Sequence, residues 1–264
     1  MTTGLLRRAV LGAVGVVLAA ATGCSSDDAS PPEAQPPASA SPSSAAPSPA
    51  VDDRGFPMPT RPRCADDAGG EYVTTTTSAG NGVGMLLIGS GTAGVVLAPE
   101  DDGDVCQWLP YAEELATSHR VAVLDRWADP RAELPALAAH ALREAGAREV
   151  VFGGASFGGA TVMSEAHRLR PAPAGVFSLG GELTLPGLDF RPGIARWHGP
   201  LLQLGSHRDH FFDAADARRL QALHPGDETV VVLPGRTHGV ALLRGADGDR
   251  VRAAIDDFLD QVLD

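Results

Sequence analysis

The sequence predicts an α/β fold: one mostly parallel sheet of eight strands with helices on both faces. Three observations carry this. Strand-like and helix-like segments take turns from Glu71 onward. The central strand-like segments, such as Val150-Val151-Phe152, are continuously apolar where a half-exposed strand would alternate. The segments between them have apolar residues at helical spacing, as in Leu109, Ala112, Leu115 and Ala116. A strand apolar on both sides has to be covered on both sides, so the helices lie above and below one sheet.

Taken in order, Glu71–Thr77 and Gly84–Ser90 read as a first pair of strands, turning through Ala79-Gly80-Asn81-Gly82. Ala93–Ala98 is a short buried strand and Val105–Arg120 a helix. Val121–Asp125 is a strand, and Glu133–Ala145 a helix closed by Gly146. Glu149–Gly153 is a strand, and Phe157–Arg170 a helix stopped by Pro171. Gly175–Leu179, Leu201–Leu204 and Thr229–Leu233 complete the strands, with helices at Ala214–Leu223 and Asp249–Leu263. Asp213 is read as the cap of the first of these two helices. There is no internal repeat, and 64–264 is expected to form one domain.

Composition narrows the ligand. Hydrophobic residues are 44% of the 264, which suffices for a core, and the net charge is −12. All 21 basic residues are arginine and none forms a basic run. An acidic chain without a positive stripe cannot displace phosphate counterions, so nucleic acid is excluded as the main ligand.

The N-terminus reads as an address. Arg7 and Arg8 precede an uncharged apolar run, Ala9–Thr22, which falls short of the about 20 residues that span a bilayer. Residues 1–23 are therefore expected to be a signal peptide, exported by the general or the twin-arginine route. The run ends in Ala21-Thr22-Gly23-Cys24, which resembles the lipobox of bacterial lipoproteins and implies lipid on Cys24 after cleavage. Residues 24–63 are mostly Pro, Ala and Ser, without period, and are expected to be a disordered tether. The expected location is the extracytoplasmic face of the membrane, held by the anchor. Cys64 and Cys106 then form an even pair in an oxidising compartment and are expected to be bridged.

Two glycine patterns compete for the chemistry. Gly89, Gly91 and Gly94 have the spacing of a dinucleotide loop, but Val95-Val96-Leu97 after them is a strand, and that site needs a helix N-terminus for the pyrophosphate. No nucleotide is expected there. Gly154-Ala155-Ser156-Phe157-Gly158 fits G-x-S-x-G, with a strand before it and a helix after it. A sharp strand-to-helix turn exposes the Ser156 hydroxyl above the sheet, and glycines two positions either side let strand and helix approach. A serine hydroxyl is inert without a base. Asp209 follows the strand Leu201–Leu204, and His238 follows Thr229–Leu233, so serine, acid and histidine stand in the chain order this turn requires. Glu182 also follows a strand and is the runner-up for the acid. His207 and His210 flank Asp209 but are read as surface residues, with no metal site. Trp108, Trp127 and Trp197 are read as core or pocket wall.

Residues 70–264 resemble the α/β-hydrolase family, especially small bacterial members of its dienelactone-hydrolase and esterase branch. The resemblance lies in Val95–Pro99, Gln107-Trp108-Leu109-Pro110-Tyr111, Gly154–Gly159, Ser178–Glu182 and His238-Gly239. It implies Ser156 as nucleophile, His238 as general base and Asp209 as the group that orients the imidazole, with no cofactor. It also implies an oxyanion hole from the Phe157 N–H and one N–H after Ala93–Ala98. Many relatives have His-Gly there and this chain has Pro99-Glu100; proline has no N–H, which leaves Glu100 or a neighbour. Glu100, Asp101 and Asp102 would oppose an oxyanion unless they point away. Only some twenty residues separate Gly180 from Leu201, so the expected cap is minimal and the expected substrate a short, soluble ester acted on by a monomer. The competing expectation is a binding lipoprotein on the same fold that has lost catalysis at Pro99-Glu100.

Overall fold

The computed structural model describes residues 51, 55, 57–128 and 131–263. The expected signal peptide, Cys24 and most of the tether lie outside the described residues. The folded part begins ahead of residue 64. A Cβ at Gly82 would stand 2.7 Å from the Pro57 carbonyl oxygen and 2.8 Å from Pro59, so the bare glycine makes room for the end of the expected tether. Arg61 then donates to the carbonyl oxygens of Ala65 and Gly70.

The strands are β1 (Glu71–Thr76), β2 (Gly82–Ile88), β3 (Ala93–Ala98), β4 (Arg120–Leu124), β5 (Glu149–Ala155), β6 (Gly175–Leu179), β7 (Thr184–Leu185), β8 (Leu188–Asp189), β9 (Leu201–Ser206) and β10 (Glu228–Leu233). The helices are α1 (Val105–Leu115), α2 (Leu134–Glu144), α3 (Phe157–Glu165), α4 (Arg191–Ile194), α5 (Ala214–Leu223) and α6 (Gly248–Leu263). Eight strands form one sheet in the order β1-β2-β4-β3-β5-β6-β9-β10, while β7 and β8 pair as a separate hairpin. Only β2 runs against its neighbours. This is the mostly parallel eight-stranded sheet of an α/β-hydrolase fold.

Each face of the sheet has its own core. Val105, Trp108, Tyr111, Ala112 and Leu115 of α1 share one with Val251, Ile255, Phe258 and Leu259 of α6. Leu134, Ala138, Ala139 and Leu142 of α2 lie on the other face with α3, α4 and α5. The i, i+3, i+4, i+7 spacing of Trp108, Tyr111, Ala112 and Leu115 turns one stripe of α1 to the sheet. Asp104 starts α1 by accepting the Cys106 N–H at 2.8 Å. Cys64 and Cys106 form a disulfide, their Cα atoms 5.7 Å apart, which ties the entry segment to α1.

Two helices are shorter than their periodicity predicts. α1 ends at Leu115, because Arg120 already pairs with Gly94 and the chain needs residues 116–119 to turn. That turn packs on Gly89 and Gly91: added Cβ atoms would stand 2.1 Å from the His119 carbonyl oxygen and 2.4 Å from that of Ser118. These glycines thus serve a close chain crossing. α3 ends at Glu165 and passes into a 3₁₀ turn, Ala166–Arg168.

The register positions the site. Ala98 of β3 stands beside Gly154 of β5, Ala155 beside Leu179 of β6, Leu179 beside Leu204 of β9, and Ser206 beside Leu233 of β10. Five parallel strands therefore end level, and the loops after them open on the same edge of the sheet.

Candidate active site

Ser156 follows β5 directly, with φ +50° and ψ −126°, and it is the only non-glycine residue at positive φ among the described residues. Such a backbone costs on the order of 1–3 kcal/mol and persists only where the surroundings enforce it. Here the close packing of β5 on α3 enforces it. A Cβ at Gly154 would fall 2.5 Å from the Gly158 carbonyl carbon, and one at Gly158 would fall 2.3 Å from the Pro99 carbonyl oxygen. The two glycines the motif requires thus let α3 approach β5 and let the loop after β3 approach the first turn of α3.

Asp209, after β9, is buried. Its Oδ1 accepts the Phe211 N–H at 2.9 Å, and its Oδ2 lies 2.7 Å from His238 Nδ1. With the ring proton on Nδ1, that bond leaves Nε2 as the basic nitrogen. The His238 loop is pinned on both sides. Ser206 donates to the Thr237 carbonyl oxygen at 2.7 Å, and the Val240 N–H donates to Glu100 Oε1 at 2.8 Å. Burial alone pulls the His238 pKa down. The Asp209 hydrogen bond and the charges of Asp209, Glu182 and Glu100 outweigh it and leave the imidazole above its ordinary value.

The Glu100 carboxylate reaches the His238 loop. Besides Val240 it accepts from Gln107 Nε2 at 3.2 Å, while Asp101 pairs with Arg131 at 3.4 Å and Asp102 is exposed. The Glu100 carboxylate is thus committed to the His238 loop and to Gln107.

The structure brings Ser156, Asp209 and His238 to one edge, but the serine proton goes elsewhere. Ser156 Oγ donates to Glu182 Oε1 at 2.9 Å, and the same oxygen lies 3.9 Å from His238 Nε2. His238 Nε2 itself has no hydrogen-bond partner among the described residues. Glu182 therefore stands on the Nε2 side of the ring, across from Asp209, so it does not occupy the orienting acid's place for which it was the alternative. Glu182 is 3% exposed, and burial raises its carboxyl above the usual range despite its bonds to Ser156 and its own backbone.

Asp213 caps α5, accepting from Ala215 at 2.6 Å and Asp216 at 3.0 Å. His207 and His210 are exposed, and no cluster of metal-ligating side chains occurs among the described residues. Trp108 and Trp197 are buried, and Trp108 donates to the Ala98 carbonyl oxygen at 3.1 Å. Trp127 donates to Pro99 at 3.1 Å and meets the Phe157 ring edge-on, with centroids 5.1 Å apart. Phe157 continues to Phe190 at 5.9 Å, and Arg131 lies over it at 4.8 Å. Phe211, which carried no expectation, is 54% exposed with its ring 4.9 Å from that of His238. An exposed phenylalanine two residues after the acid was the available signal.

A strained serine at a strand-to-helix turn thus shares one edge of an α/β-hydrolase fold with a histidine–carboxylate pair that follows later parallel strands. No family profile matches the sequence, and neither does any curated protein. Solved structures are similar in fold. An esterase from Pyrococcus furiosus is 12% identical with a TM-score of 0.66, over 79% of this chain and 97% of that one. A thermophilic esterase from Thermogutta terrifontis is 19% identical with a TM-score of 0.57, over 73% and 99%. A metagenome-derived lipolytic enzyme is 15% identical with a TM-score of 0.55, over 67% and 97%. Identities this low establish the fold alone.

Proposed function

We propose that the protein is an extracytoplasmic serine hydrolase, anchored by lipid on Cys24, that cleaves short or soluble esters. The observation that carries the reading is the 2.7 Å pair of His238 Nδ1 and Asp209 Oδ2 at the same sheet edge as Ser156, the one non-glycine residue at positive φ among the described residues. In this reading the Ser156 Oγ–H bond breaks as Oγ attacks the ester carbonyl. His238 Nε2 takes the proton and then gives it to the leaving alcohol, and water releases the acyl group by the same route. The reading assigns the Phe157 and Glu100 N–H groups to the oxygen that gains charge.

The substrate class follows from the cap. Between β6 and β9 the chain forms only the β7–β8 hairpin and the single turn of α4, so little covers the site, which suits an ester small enough to need no long acyl groove. The exposed Phe211 ring supplies apolar surface beside His238. The anchor reading rests on the sequence around Cys24. The binding-protein alternative rests on Pro99-Glu100, where the Glu100 carboxylate accepts from Val240 and Gln107. A chain-length series of aryl esters tests the proposal. Hydrolysis should be fastest for the shortest acyl groups and absent in Ser156→Ala; undiminished turnover by a folded Ser156→Ala protein would reject it.

A further inference from the structure

The Ser156 hydroxyl has two acceptors near it, and the structure gives its proton to the one that is not the base. Oγ donates to Glu182 Oε1 at 2.9 Å, while His238 Nε2, the nitrogen that must receive this proton, has no hydrogen-bond partner among the described residues. Glu182 is almost wholly buried, and its second oxygen, Oε2, has no partner among the described residues either. Three carboxylates act on the imidazole: Asp209 from the loop after β9, Glu182 from the loop after β6, and Glu100 from the loop after β3. No basic side chain is among these groups, and the Phe211 ring lies 4.9 Å away. Resting on the hydrolase reading above, we propose that Glu182 holds the free enzyme shut: its carboxylate keeps the Ser156 hydroxyl from His238 and favours the imidazolium form of His238, so the nucleophile meets its base only after His238 releases a proton to solvent.

The steps balance. The imidazolium Nε2–H bond breaks and its proton goes to water. Ser156 then turns its O–H from Glu182 Oε1 to the vacated Nε2 lone pair. On attack, the O–H bond breaks toward Nε2, the Oγ–C bond forms, and the carbonyl π pair moves onto oxygen. Glu182 is then left without a donor in a buried place, so the arrangement that starts catalysis is disfavoured by the same carboxylate that stabilises the resting one. The charge of Glu182 is among the causes that hold His238 above its ordinary value, so it makes the ring harder to deprotonate, and activity should be lost as pH falls through the His238 value.

Glu182 is thus a positioning residue, and the test reads a pH profile. The rate of inactivation by an uncharged fluorophosphonate is measured from pH 5 to 10 on the full chain, on Glu182→Gln, on Glu182→Ala and on Ser156→Ala. The wild-type acid limb should lie above the ordinary histidine value of about 6.5. Glu182→Gln keeps shape and an acceptor oxygen but removes the charge. It should move the limb down by about one pH unit, making labelling at pH 6 up to about tenfold faster. Glu182→Ala should also raise the alkaline plateau, because no acceptor competes with His238; should it fail to fold, Glu182→Gln alone decides. An unmoved limb overturns the proposal, as does slower labelling at every pH in a Glu182→Gln protein of unchanged melting temperature. Failure of every protein to label at any pH would instead remove the hydrolase reading itself.

Discussion

The loops after β5 and β6 are neighbours at the same edge of the sheet, and each delivers one side chain to the site by different means. The β5 loop has no length at all: Ser156 lies between the last residue of β5 and the first of α3, and its place is enforced by strained backbone and by glycines that tolerate no Cβ. The β6 loop is Gly180-Gly181-Glu182-Leu183, where Gly180 takes φ +66° and Gly181 donates to Ser178 Oγ at 3.2 Å. It places a buried carboxylate by chain path, with no motif. The first device fixes where the Ser156 hydroxyl is, and the second sets which acceptor its proton has. In the proposed reading, a nucleophile's position and its state of readiness are thus specified by separate pieces of sequence.

The largest expected effect breaks the first device. Gly154→Val should lower the melting temperature and remove nearly all esterase activity, since even its Cβ would overlap the Gly158 backbone. Overpacking of this kind costs about 1–3 kcal/mol or more. Thermal unfolding with an aryl-ester assay checks it, and an active, stable variant would show that the glycine spacing is incidental. Next, Asp209→Asn should keep the fold and lower kcat by about 10³–10⁴ through loss of the Nδ1–H tautomer. A near-wild-type kcat would mean that Asp209 is not the orienting acid. Glu100→Gln is milder. The amide oxygen can still accept the Val240 N–H, so kcat should fall less than about tenfold, with the expected loss confined to a bond that is no longer charge-assisted.

Two smaller effects lie away from both loops and sharpen the comparison as controls. Cys64→Ser should lower stability by at most about 4 kcal/mol of loop entropy without changing labelling at Ser156. Differential scanning calorimetry beside probe labelling separates the two. Glu228, at the start of β10, is raised by burial to about 7. An acid whose folded value exceeds its unfolded one lets the folded state bind more protons, so this residue lowers stability as pH rises from about 4.3 to that value and has a constant effect above it. Glu228→Gln should therefore raise the melting temperature slightly at pH 8 and leave it unchanged at pH 4. An equal shift at both would assign the effect to something other than ionisation.

The sheet and the order of serine, acid and histidine were legible because each follows from a local rule. Apolar runs mark strands, and only glycine fits where β5 meets α3. The length of α1 was overestimated because helical spacing continues through Ala116, whereas the strand pairing of Arg120 with Gly94, a contact between distant residues, ends the helix. The packing of residues 57–63 was hidden for a similar reason, since it depends on space above Gly82 across the sheet edge. Glu182 was visible as a strand-end acid, yet its role depends on which nitrogen of His238 it faces, which no spacing encodes. Glu100 looked unfavourable as a charge beside an oxyanion, and only the fold reveals its acceptor duty toward Val240.

The central claim is that Ser156 is the nucleophile of a hydrolase. Its most direct test is mass spectrometry of the full chain after treatment with a fluorophosphonate at pH 9, followed by mapping of the modified peptide. The expected result is one adduct per chain, located on Ser156 and absent from Ser156→Ala. A folded wild-type protein that emerges unmodified, or modified at another serine, would contradict it.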